Sequence, residues 1–271
     1  MQAASSLSMA IVLWLLPFAN AEEANPAEDT KPPTTDIGTR EELKLPGMTI
    51  HTKEHFVDVD ATICLAEGFL ELIACTKDSK EHESIIAVDA KPSHMHAALL
   101  LLRAKPGSPA EARELKGGGL MEIAPSGSEV NVSLVIKDEK GEMKEHPISE
   151  FIFRGKKGEE NDPNAAEKTP EVKIRFPTST FIFAGSQLYK GKDGTAKYLS
   201  DESGNVISLS TFGDELLCLP GKHSQKNAEL SWEIDPTHLP AVGTKVILRL
   251  RPKQAELEQA TPALENPKTK P

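Results

Sequence analysis

The densest set of side chains able to coordinate a metal or move protons is His82-Glu83-Ser84, followed by His94 and His96. Imidazoles beside a carboxylate suit a divalent transition metal, or general acid–base chemistry near neutral pH. Spacing limits how many of them share one site. On a helix, residues two apart lie about 200° apart around the axis, so His94 and His96 cannot both enter one site and one faces solvent. On a strand, His82 and Glu83 project to opposite faces. The three-member site that remains takes His82 or Glu83, one helix histidine and a group such as Asp58, Asp60 or Asp89. Its candidate metal ligands are His82, Glu83 and His96, without the compact His-Glu-x-x-His spacing that fixes two ligands on one helical face. The competing role for these histidines is packing at a strand-to-helix junction, bonded to nearby backbone.

Lys91-Pro92-Ser93 offers a second chemistry, in which helix-start N–H groups and the Lys91 ammonium receive an anion. Simple capping of the helix by Ser93 or a neighbour competes with it. Candidate ligand-binding residues are therefore His82, Glu83, Ser84, Lys91 and His96. Ser84, Ser93 and Ser186 invite a nucleophile role beside a histidine, yet none lies in Gly-x-Ser-x-Gly, and no catalytic residue is assigned. Asp214 and Glu215 resemble half a glycosidase dyad, but adjacent acids in an acidic chain are usually a solvated face. The reading leans away from an enzyme.

Three cysteines are present, Cys64, Cys75 and Cys218, with no Cys-x-x-Cys, which argues against a zinc ribbon, a thioredoxin-type site and a four-cysteine iron–sulfur cluster. Cys64 and Cys75 lie in two apolar runs, Thr62–Leu65 and Phe69–Cys75, separated by the turn-like Glu67-Gly68. Across such a hairpin they form a candidate disulfide, against a reading as two buried small hydrophobes.

The elements that must position these groups are mostly strands. Val130, Val132, Leu134 and Ile136 alternate before Asp138-Glu139-Lys140-Gly141 turns the chain, which predicts a strand entering a hairpin. Similar runs are 85–88, 172–176, 180–184, 206–209, 230–234 and 245–250. One clear helix is predicted over 92–103, opened by Pro92 and Ser93 and stopped by Pro106-Gly107. A second, short helix fits 148–153. The sum is an α+β class, mainly antiparallel β-sheet.

Residues 1–21 carry no charge and place an apolar run, Met9–Phe18, before Ala19-Asn20-Ala21. That is the layout of a secretory signal peptide cut before Glu22, although Met1–Ser8 lacks the usual Lys or Arg. An exported, periplasmic or extracellular protein is expected, with no transmembrane segment after cleavage. The remaining 250 residues carry the whole formal charge of −10, without a Lys/Arg cluster, which excludes nucleic acid as an expected partner. Residues 22–42 read as a flexible acidic spacer, 155–170 as a long surface loop joining two halves, and 252–271 as a flexible tail.

Lys80-Glu81-His82-Glu83-Ser84, Asp89-Ala90-Lys91-Pro92-Ser93 and His96-Ala97-Ala98-Leu99 together resemble the YdjY-domain family of bacterial proteins. The resemblance continues through Phe181–Ser186, Asp201–Gly204, and Phe212-Gly213-Asp214 to Leu219-Pro220, covering roughly 43–251. It implies an α+β domain of a type found in exported planctomycete and verrucomicrobial proteins, and it brings no established activity. The expected function is a non-catalytic module that binds a small ligand or an envelope protein, with no cofactor. The alternative is a metal-binding protein or enzyme built on His82, Glu83 and His96 with a divalent transition metal.

Overall fold

The computed structural model describes residues 41–156, 172–221, 223 and 231–253. The segment read as a signal peptide (1–21), nearly all of the stretch read as a spacer (22–42), the stretch read as a surface loop (155–170) beyond residue 156, and the stretch read as a tail (252–271) from residue 254 lie outside the described residues. In chain order, the elements that build the core are β1 (Phe56–Ile63), β2 (Leu72–Thr76), β3 (Ser84–Val88), α1 (Pro92–Leu101), β4 (Glu129–Lys137), β5 (Thr180–Phe183), α2 (Leu199–Ser203), β6 (Asn205–Ser208), β7 (Leu217–Cys218) and β8 (Lys245–Pro252).

Alternation sets the faces of the long strands. Val57, Val59, Ala61 and Ile63 are buried while Asp58, Asp60 and Thr62 between them lie on the less buried face, and Val246, Leu248 and Leu250 repeat the pattern on β8. The strands close on themselves in the order β1-β8-β4-β5-β7-β6-β2-β3, and β3 returns to β1. The result is an eight-stranded barrel, a more specific architecture than the expected α+β sheet. Closure leaves none of these eight strands with an open edge. Six of the eight pairings are antiparallel, and two, β2·β3 and β6·β7, are parallel.

Each parallel pair is joined by an unusually short connection, residues 77–83 between β2 and β3 and residues 209–216 between β6 and β7. β3 and β6 are buried along their whole length, and β2 is buried from Leu72 to Cys75. Strands buried on both faces read as continuous apolar runs rather than as alternations.

Phe69–Cys75 does not form a hairpin with Thr62–Leu65. β3 runs between β1 and β2 and pairs with both. Cys64 and Cys75 are both thiols and have a strand between their backbones, so the expected disulfide is not formed.

Helix α1 starts at Pro92 as predicted and ends two residues early. Leu102 closes it, and Arg103 turns left-handed (φ 61°) while its amide still reaches Leu100 O at 2.8 Å. Met95, Ala98 and Leu99 enter the core; Leu100 and Leu101 stay exposed. The predicted short helix at 148–153 is a 3-10 turn, Ile148–Phe151, that runs straight into a strand, Ile152–Lys156. Helix α2 has no counterpart in the sequence reading. It is a five-residue turn stopped by Gly204, left-handed at φ 79°.

Candidate functional site

A cleft of about 360 Å³ opens between α1, the segment Pro106-Gly107, the bend Gly185-Ser186 that follows β5, and a two-stranded ribbon, Leu188–Lys190 with Ala196–Tyr198. Ser93, His96, Ala97, Leu100, Leu188 and Tyr198 supply most of its wall.

The bend is forced by hydrogen bonding. Gly185 N donates to Leu216 O and Ser186 N to Glu215 O, both at 3.0 Å, which pins the chain where Gly185 (φ 80°) and Ser186 (φ 53°) are both left-handed. Glycine adopts that conformation freely and serine at a cost. A β-carbon on Gly185 would lie 2.9 Å from Pro106 Cβ and 3.2 Å from His96 Cε1, so the position must also be small to leave room for the imidazole. Ser186 Oγ donates to Asp214 O and accepts from Ser200 N at 3.1 Å, tying the bend to α2.

Helix α1 is fixed to α2 by one carboxylate. Asp201 accepts from Ser93 N at 2.8 Å and from Ser93 Oγ at 2.6 Å. This is N-terminal capping supplied from 108 residues away, and it orients the helix that carries His96. The amide that the anion reading of Lys91-Pro92-Ser93 would use is thus already bonded to a carboxylate. Lys91 itself is exposed and makes no side-chain cap.

His96 is half-buried, with its ring edge-on to Phe183 (centroids 4.9 Å apart) and to Tyr198 (5.6 Å). The hydrogen-bond network settles its tautomer. Burial, followed by the nearby Asp201 charge, pushes the Tyr198 phenol upward, so it keeps its one hydrogen. That hydrogen goes to Gly185 O at 2.8 Å. The 2.9 Å contact between Tyr198 Oη and His96 Nδ1 must then run from Nδ1–H to the phenol oxygen. Nε2 is left as a lone pair with no partner among the described residues, and it keeps access to solvent. Burial holds the His96 pKa below its ordinary value, so the ring is neutral at pH 7.

The arrangement can accept a hydrogen bond, or a proton, at Nε2 beside an apolar wall. Leu188 is 73 % exposed and Leu100 45 %. It lacks an activated nucleophile: Ser93 gives its hydrogen to Asp201 and Ser186 to Asp214 O, and neither bonds to His96.

The other candidate residues lie apart. His82 is on a 3-10 turn, Glu81–Glu83, with its side chain 78 % exposed and Nε2 3.8 Å from Glu83 Oε2. Ser84 is fully buried and donates to Lys80 O at 2.8 Å. His94 faces solvent, as the 200° separation from His96 requires. The structure therefore does not bring His82 and Glu83 together with His96, because the first two are held on the 77–83 connection and the third by Tyr198 and Phe183. Among the described residues, no group of three or more His, Cys, Asp or Glu side chains is placed to hold a metal ion.

Tyr198 and Asp201 were missed as site residues. Neither belongs to a local motif pointing to His96. Nor did the sequence show that the left-handed Gly185-Ser186 bend forms the floor of a cleft.

No curated protein and no solved structure matches the chain. Among protein families, the YdjY domain matches residues 48–251, a span that holds the whole barrel but for the last residue of β8 and every residue of the cleft. By this match the chain belongs to the YdjY-domain family.

Proposed function

We propose that this protein is a non-catalytic, exported binding module whose ligand seats in the cleft beside α1. Leu100 and Leu188 cover the apolar body of that ligand, and His96 Nε2 accepts a hydrogen bond from its polar end. The observation that carries this reading is the tautomer-fixed, neutral imidazole whose open nitrogen faces a concave, mostly apolar wall. Two serines committed to other acceptors favour binding over catalysis.

A fragment library rich in amphipathic donors (phenols, indoles, anilides), screened by backbone amide shifts, tests the proposal. Hits should move Ala97, Leu100, Gly185 and Leu188 together. Binding should be lost in Leu188→Asp, which leaves the melting temperature unchanged because the side chain is exposed, and weakened in His96→Gln. Hits that survive both variants would refute the assignment. N-terminal sequencing of the secreted protein tests export, with Glu22 as the expected first residue and Met1 as the contrary result.

A further inference from the structure

The ribbon that closes one side of the cleft has an unused edge. Leu199 N donates to Gln187 O at 2.9 Å and Gly191 N to Thr195 O at 2.8 Å, so the hydrogen-bonded positions of its first strand are Gln187, Tyr189 and Gly191. The N–H and C=O groups of Leu188 and Lys190, at the positions between, turn away from the ribbon. Among the described residues the ribbon has only two strands, so these groups meet no third one. Leu188 stands opposite Tyr198 on the side of the ribbon that lines the cleft, and Lys190 follows two residues on with the same orientation. Backbone groups for one more strand thus stand beside an apolar wall and the open Nε2 of His96.

Charge indicates which kind of strand fits. Lys105, next to the lining Pro106, and Lys190 and Lys192, on the ribbon, are exposed and have no ion-pair partner among the described residues. Lys197 and Lys253, by contrast, are held by Glu202 at 2.9 Å and Glu129 at 2.8 Å. In a chain of net charge −10 this is a local excess of positive charge, which favours an acidic segment.

Such a segment starts close by. Lys253 N donates to Glu129 O at 2.8 Å, and Ser128 N to Lys105 O at 2.9 Å. Two hydrogen bonds and two peptide links therefore lead from Lys253 to Pro106 in the cleft wall, a path of at most about 20 Å. Residues 254–266 carry Glu256, Glu258 and Glu265 and no Lys or Arg. Within them, Ala263-Leu264-Glu265-Asn266 is bracketed by Pro262 and Pro267, a pattern that disfavours helix and favours extended backbone. Leu264, 11 positions after Lys253, can lie up to about 36 Å from it, so the cleft is within range. We infer that residues 263–266 of this chain add to the open edge of Leu188–Lys190 as a third strand, seating Leu264 between Leu100 and Leu188. Asn266, on the same face as Leu264, then brings the carboxamide N–H that His96 Nε2 accepts. This occupant presupposes the binding cleft argued above, and an external ligand must displace it.

The test compares amide hydrogen exchange in the full chain and in its Leu264→Asp variant. Leu264 lies beyond the end of β8, so the substitution spares the barrel. At an effective concentration of about 1 mM, a segment that binds in trans with a Kd of about 0.1 mM fills the cleft about nine-tenths of the time. The Leu188 and Lys190 amides should therefore exchange about tenfold more slowly in the unmodified protein than in the variant, and phenol or indole fragments should bind the variant about tenfold more tightly. A synthetic peptide of residues 259–268 added to the variant should restore the protection, and the same peptide carrying Leu264→Asp should not. Equal exchange in the two proteins overturns the assignment. Protection that rises with protein concentration also overturns it, by placing the segment of a second copy on the edge. Fragments that bind both proteins equally well remove this occupant and leave the cleft reading standing; fragments that bind neither overturn the cleft reading with it.

Discussion

Replacing Tyr198 with Phe keeps the ring and deletes one oxygen that serves two partners. The bond to Gly185 O (2.8 Å) and the bond from His96 Nδ1 (2.9 Å) are both lost. At about 1 kcal/mol net for each hydrogen bond, the variant should be less stable by about 2 kcal/mol, reduced where water from the cleft takes the place of the hydroxyl. For a domain of this length, each kcal/mol corresponds to about 2–4 °C, so the melting midpoint should fall by about 4–8 °C. Calorimetry and urea titration measure this loss. A second readout separates a lost network from a general loosening. Without the phenol oxygen the Nδ1–H tautomer loses its preference, and the side-chain nitrogens of His96 should move toward averaged shifts in a histidine-selective spectrum. An unchanged midpoint with an unchanged nitrogen pattern would refute the network and the tautomer derived from it.

Gly185→Ala should cost more, because a left-handed alanine alone costs about 1–2 kcal/mol and its β-carbon must also displace Pro106 or His96; a loss under about 1 kcal/mol by urea titration would count against the packing described. Asp201→Ala removes the carboxylate that caps α1 and should destabilise by about 1–2 kcal/mol, with faster hydrogen exchange at the start of α1 and unchanged exchange in β4. Glu215 is fully buried, with Oε1 unpartnered, and burial raises its pKa. Its contribution is complete below the unfolded value of 4.5 and is lost as pH rises through the raised folded value, since the buried charge is disfavoured. Glu215→Gln should therefore gain stability over the unmodified protein on going from pH 5 to pH 8; parallel melting curves across that range would contradict this.

Much of the frame was legible because local signals were strong. Pro92 at the first turn and Pro106-Gly107 beyond the end bracket α1, and the alternation at Val130, Val132, Leu134 and Ile136 marks β4 within one residue at either end. Barrel closure was not legible, because it depends on two parallel pairings whose connections are shorter than such pairings normally allow. The same closure misled the reading of the cysteines. Glu67-Gly68 signals a local hairpin, whereas β3, arriving later in the chain, inserts between the two runs. His96 was picked out by residue type and His94 set aside by helical angle. Tyr198, which bonds His96, and Asp201, which caps the helix that carries it, lie more than 100 residues away; Asp201 opens one of the blocks of the family resemblance, but nothing in that block points to α1.

The state of the His96 ring tests the central claim most directly. Long-range ¹⁵N–¹H correlation, recorded from pH 8 down to pH 5, reports which nitrogen carries the proton and when the second one arrives. The account predicts a proton on Nδ1 and a lone pair on Nε2 at pH 7. The ring should take its second proton only below its ordinary value of 6.5, with stability falling as the unfolded chain takes up its proton first. A proton on Nε2 at pH 7, or an imidazolium already formed there, would contradict it and remove the acceptor on which the binding proposal rests.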